Sequence, residues 1–191
     1  MPRTATDLRD YLSDPATTLP EPLALDEMAA HLVRLHHQNG GATFNPYFGD
    51  MSGQPLFAVS VFPEASAIEA GPLISSLFVR GFIRENHRLL LDPRNNVGTW
   101  YNVTEDETYL DVSTALPERE EAFTLAVRCN QIAFYDLAQG DAIPTFGTGE
   151  NTVDLPPEDE RLPPLDQVRR SNNDGNDNAG SHQGNGHRDH G

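Results

Sequence analysis

The chain has 191 residues, of which 37 % are hydrophobic, and a formal net charge of −16 at pH 7. Such a surface repels phosphate backbones and anionic head groups, which disfavours direct binding of nucleic acid or of a membrane surface and leaves a protein as the expected partner. A single cysteine, Cys129, excludes an internal disulfide and any metal site that needs two thiolates from one chain.

Residues 1–150 hold 21 acids and nine arginines, and the remainder holds eight and four. There is no lysine, and the arginines are scattered rather than clustered, which reads as the codon bias of a GC-rich genome. From Ser171 to Gly191 the only aliphatic side chain is Ala179. These shifts divide the chain into an extended arm over 1–24, one globular domain over 25–150, and a disordered tail over 151–191 that is acidic, polar and rich in Pro, Asn and Gly. A domain of this size buries roughly 60–70 % of its unfolded surface, enough for a core without disulfides or metal. The tail lacks the apolar area to offset an ordering cost of about 1–2 kcal/mol per residue. No apolar segment opens the chain and none approaches membrane-spanning length, so a cytoplasmic location is expected.

In chain order, residues 5–13 suit a short helix with Thr6 as N-cap and Leu8 and Leu12 on one side. Pro15, Pro20 and Pro22 then keep the chain extended. Met28, Leu32 and Leu35 recur at helical spacing, giving a helix near 26–38 capped by Asp26 and ended by Asn39-Gly40-Gly41 in a left-handed turn. His31, His36 and His37 lie five, six and one apart. No pair has the four-residue spacing of helical metal ligands, so surface or helix-end positions are expected and no metal site is assigned.

Thr43-Phe44 reads as a short strand, and Asn45-Pro46 and Gly49-Asp50 as turns. The continuous apolar run from Leu56 to Phe62 reads as a central strand. A helix near 72–88 opens at Gly71-Pro72, with Leu73, Ile74, Leu77 and Phe78 facing inward. Val97–Val103 and Thr108–Val112 form a hairpin. Pro117, Glu118, Glu120 and Glu121 open a helix near 117–129 that buries Ala122, Leu125, Ala126 and Cys129. Ile132–Tyr135 is the next strand, and Ile143–Phe146 suits an edge where proline is tolerated. The expected fold is α+β (or α/β), with a mixed sheet of about five strands.

No catalytic residue and no cofactor is assigned. Ser52 lacks the strand-to-helix setting of a nucleophile elbow, and Gly147-Thr148-Gly149 is too short for a dinucleotide fingerprint. Asp92, Glu107, Asp111 and Asp136 converge only if their strand ends meet. The 45–55 loop gathers Asn45, Tyr47, Asp50 and Gln54 as candidate ligand-binding residues, although a turn packed by Phe44, Tyr47 and Phe48 explains the same composition. Trp100 and Tyr101 point to opposite faces of a strand. With Tyr109 on the partner strand they are the candidate interface residues, through an aromatic patch. His182, His187 and His190 in the tail read as solvated.

The run Val97-Gly98-Thr99-Trp100-Tyr101-Asn102, then Thr108-Tyr109-Leu110-Asp111-Val112-Ser113, then the acid-rich helix and Asn130-Gln131-Ile132-Ala133-Phe134-Tyr135-Asp136-Leu137 resembles an uncharacterised module of actinobacterial, phage and plasmid proteins. The resemblance covers about residues 97–149. It implies an origin and carries no catalytic residue.

Three functions remain open at this stage. The first is a non-catalytic binding or accessory protein of bacterial, phage or mobile-element origin. The second is a small enzyme or ligand-binding domain that uses the 45–55 loop. The third is an acidic mimic of nucleic acid.

Overall fold

The computed structural model describes residues 3–149 and 154–170. Eight strands form one antiparallel sheet: β1 (Gly41–Asn45), β2 (Gly49–Asp50), β3 (Phe57–Ser60), β4 (Ser66–Ala70), β5 (Asn95–Asn102), β6 (Glu107–Leu116), β7 (Ala133–Asp136) and β8 (Asp141–Pro144). Their order is β2-β1-β5-β6-β3-β7-β8, with β4 also paired to β6. The sheet is therefore larger than the expected five strands, and antiparallel rather than mixed. The additional members carry weak local signals: β2 has two residues, and β4 (Ser66-Ala67-Ile68-Glu69-Ala70) has no apolar run because one of its faces is exposed.

The expected hairpin is β5–β6, in register from Asn95↔Thr114 to Asn102↔Glu107. The apolar run after Pro55 is β3, central as expected, between β6 and β7. Both neighbours are antiparallel to β3, so β6 and β7 run parallel to each other with β3 between them. β3 and β4 lie in tandem along the same edge of β6. Ser60 pairs with Ser113 and Ser66 with Asp111, so residues 61–65 bulge out opposite Val112. The bulge drives Val61, Phe62 and Ala65 into the core.

The described chain also holds helices α1 (Leu8–Ser13), α2 (Leu25–Asn39), α3 (Ser76–Glu85) and α4 (Arg119–Arg128). The side chain of Asp7, not Thr6, caps α1 by accepting from Asp10 N at 2.8 Å. Ala24 occupies the N-cap of α2, which leaves Asp26 in its first turn, where a carboxylate favours the dipole. Gly40 ends α2 with φ 74°, the left-handed turn read from Asn39-Gly40-Gly41.

Helix α3 starts four residues later than Pro72 suggested, because Ser75 Oγ accepts from Phe78 N at 3.1 Å and sets the cap. Its inward stripe is Val79, Phe82 and Ile83. Leu73 and Leu77, expected inward, are 65 % and 75 % exposed.

Helices α2, α3 and α4 cover one face of the sheet. There Met28, Leu32, Phe44, Val59, Phe82, Val97, Leu110, Val112 and Ala126 belong to the main core. Alternation along each strand sends Ala58 and Ala115 to the opposite face. On that face they pack with Leu8, Tyr11, Leu12, Met51, Leu56 and Leu137 in a second cluster. The N-terminal arm thus docks, and it covers one end of the second face.

His36, expected at the surface, is buried. Its Nε2 lies 3.2 Å from the Pro72 carbonyl and its Nδ1 3.0 Å from Thr99 Oγ1. A carbonyl only accepts, so Nε2 carries the proton and Nδ1 accepts from the threonine. The residue joins α2 to β5 and to the approach of α3, a link that helical spacing alone does not reveal.

Residues 154–170, expected to belong to the disordered tail, pack on the domain. Leu155 and Leu162 contact the main core and Leu165 the second cluster. Arg161 donates to the Val61 carbonyl at 3.0 Å and pairs with Glu64 at 2.7 Å. Arg169 donates to the carbonyls of Tyr11, Asp14 and Thr17 at 2.9, 2.8 and 2.9 Å, with its guanidinium 4.0 Å from the Tyr11 ring centroid. Three leucines and two arginines with defined partners offset the ordering cost that composition alone weighed against this stretch. Residues 171–191, with His182, His187 and His190, lie outside the described residues.

Candidate functional site

Among the described residues, the second face of the sheet is covered only at one end, and the rest of it is ordered in rows across the strands. Residues directly opposite in antiparallel strands point to the same side. The first row is Ile68 on β4, Tyr109 on β6, Trp100 on β5 and Gly41 on β1. The second is Ser66, Asp111, Gly98 and Thr43. The third contains Ser60, Ser113 and Asn96. Beyond it Ala58 and Ala115 pass beneath the second cluster.

The first row is apolar and open. Ile68 and Trp100 are each 53 % exposed. The Trp100 and Tyr109 rings lie 5.9 Å apart between centroids and are tilted by 33°. The Tyr109 hydroxyl contacts the carboxylates of Glu105 and Glu107, which hold the ring in place and keep its phenol above the usual range. No ion pair among the described residues involves Glu105, Glu107 or Asp111. The aromatic row is thus bordered by carboxylates without a basic partner.

The second row contains the chemically unusual group. A Cβ at Gly98 would lie 2.2 Å from Asp111 Oδ1, so the Asp111 carboxylate occupies the space that a side chain at 98 would fill. The Ser60 side chain, on the neighbouring strand, favours the charged form of this carboxylate. Among the described residues no cation pairs with it, and burial against the sheet raises it to about 6. Ser113, two residues along β6 on the same face, is buried and its Oγ makes no hydrogen bond among the described residues.

The candidate interface residues separate as their alternation requires. Trp100 and Tyr109 share the open face. Tyr101 points to the other side, and its hydroxyl donates to Asp106 at 2.8 Å. The sequence reading missed Ile68 and Gly98 as members of this face. A glycine in mid-strand was the available signal, since such residues mark a close approach. Asp111 was read as a strand-end residue because β6 was expected to stop at Val112. It lies in mid-strand because β6 continues to Leu116.

The four residues of the 45–55 loop have separate roles in the fold. Asn45 is buried. Its Nδ2 donates to Pro93 O and Asn96 Oδ1, both at 2.9 Å, and its Oδ1 accepts from Tyr47 N at 2.9 Å. The Tyr47 hydroxyl donates to Leu91 O, and Asp50 accepts from Ser52. Gln54 N donates to Met51 O within the turn. A groove between α4 and the 162–163 segment is lined by Glu121, Leu125, Arg128, Leu162 and Pro163 among others, and by none of these four.

The carboxylates also stay apart. Asp92 pairs with Arg94 at 2.6 Å, and Asp136 accepts from Ala138 N and Gln139 N. Cys129 is buried at the end of α4, and burial pushes its thiol up. Among the described residues no helix is long and apolar enough to cross a membrane. No family model, curated protein or solved structure matches the chain.

Proposed function

We propose that this chain is a non-catalytic, protein-binding accessory module of bacterial or mobile-element origin, and that its uncovered sheet face takes up an apolar, positively charged surface of a protein partner. The observation that carries this reading is the row Ile68–Tyr109–Trp100. It keeps three large side chains on an ordered surface, two of them half exposed, where water is a poor solvent for them. Tryptophan and tyrosine are the residues whose burial most often dominates an interface. The carboxylates beside them, with the net charge of −16, select a cationic partner and speed its approach.

The test uses the whole chain and the variant Ile68→Ser/Trp100→Ala as matched baits in an actinobacterial lysate, followed by titration of the purified captured protein. A direct partner whose affinity falls at least tenfold with the variant supports the reading. A partner that binds both baits equally places the interface elsewhere. In the 45–55 loop the polar atoms of Asn45 and Asp50 are engaged within the fold.

A further inference from the structure

We infer that the Asp111 carboxylate, seated over Gly98, is an anchor site for one arginine side chain of the partner: the guanidinium bonds to this carboxylate and lies against the Trp100 ring. This rests on the proposed sheet-face interface and names the chemistry that interface selects.

Four observations lead to it. Asp111 stands in the middle of a sheet, where an unpaired carboxylate is costly and an alanine or valine would pack better. Its carboxylate meets Ser60 and no described cation. Gly98 clears the space around it, and no larger residue fits there. Trp100, two residues from Gly98 on β5, stands on the same face as a diagonal neighbour of Asp111.

A planar, weakly hydrated cation suits this arrangement better than an ammonium group. Guanidinium presents paired donors to a carboxylate edge and stacks on an indole, while a lysine must shed a tighter water shell.

Trp100 is the only tryptophan of the chain, so its fluorescence reports on this site directly. The probes are N-acetyl-Leu-Arg-amide and its citrulline counterpart, which keeps the shape and loses the charge. They are titrated into the whole protein at neutral pH. The arginine probe is expected to saturate at least fivefold tighter than the citrulline probe. That preference is expected to fall to about one in Asp111→Asn. It should survive in Glu118→Gln, which removes one exposed charge at the N-cap of α4.

Equal binding of the two probes to the unaltered protein, or a preference that persists in Asp111→Asn, overturns the anchor and leaves the aromatic surface standing. Saturation by neither probe overturns the surface itself, and the anchor with it. A preference lost equally in Glu118→Gln reduces the effect to net charge and also overturns the anchor.

Discussion

The Asp111 carboxylate sits over the backbone of Gly98, with Oδ1 only 2.2 Å from where a β-carbon on residue 98 would lie. Gly98→Ala therefore has to displace the carboxylate. The expected loss is about 1–3 kcal/mol, the usual cost of overfilling a packed site. In an Asp111→Ala background the same change becomes neutral or stabilises by about 0.5–1 kcal/mol, because alanine suits a strand better than glycine. Urea unfolding of the four proteins completes the cycle. Equal cost in both backgrounds shows that the two residues do not compete for one space.

The raised Asp111 group makes stability fall as pH rises. In the folded chain it holds its proton up to about 6, and in the unfolded chain only to about 4. Its contribution is therefore complete below about pH 4 and lost as pH rises through 6. The neighbours that face it, Ser60, Ser66, Gly98 and Trp100, carry no charge. Asp111→Asn should match the parent near pH 4 and exceed it at pH 8 by on the order of 2 kcal/mol. Urea midpoints at the two values give the answer, and an unchanged difference between them refutes the titration.

His36 works in the opposite direction. Burial lowers its pKa, and neighbouring His37 adds to the effect, against the Pro72 carbonyl, which raises it. The unfolded histidine takes a proton near 6.5 and the folded one resists it. The stability from neutral His36 is thus complete at and above neutrality, and it is lost as pH falls below about 6.5. His36→Gln keeps a donor for Pro72 and an acceptor for Thr99. It should flatten the fall in urea midpoint between pH 7.5 and 5, whereas Asp111→Asn should steepen it.

Arg169 holds the N-terminal arm from the far end of the described chain. Arg169→Ala leaves the carbonyls of Tyr11, Asp14 and Thr17 without this donor. A loss of about 1–3 kcal/mol is expected for these charge-assisted bonds. Amide exchange of Leu8–Ser13 should accelerate while the β5–β6 ladder keeps its protection. Uniform acceleration across both elements contradicts a local strap.

Trp100→Ala should change stability by less than about 1 kcal/mol, because the side chain is half exposed. Its effect belongs to binding. A loss of several kcal/mol in thermal or urea unfolding assigns Trp100 to the fold instead.

Local chemistry was enough to read the hairpin that became β5–β6, the helices α2 and α4, the left-handed Gly40 and the burial of Cys129. Each depends on spacing or turn residues within a few positions. It was also enough to set Trp100 and Tyr101 on opposite faces, since alternation along a strand is a local property, whereas the register that puts Trp100 beside Tyr109 came from the structure. Strand number, β4, the late start of α3 and the docking of 154–170 depend on partners far along the chain, and no window of sequence contains both sides of such contacts. The same holds for His36, whose partners are Pro72 and Thr99, and for Asp111, whose setting is made by Gly98 and Ser60 on two other strands. The sequence by itself determined which residues could form an aromatic surface. The tertiary structure alone decided that, among the described residues, this surface stays uncovered beside a carboxylate with no cationic partner, because α1 and residues 154–170 reach only the other end of that face.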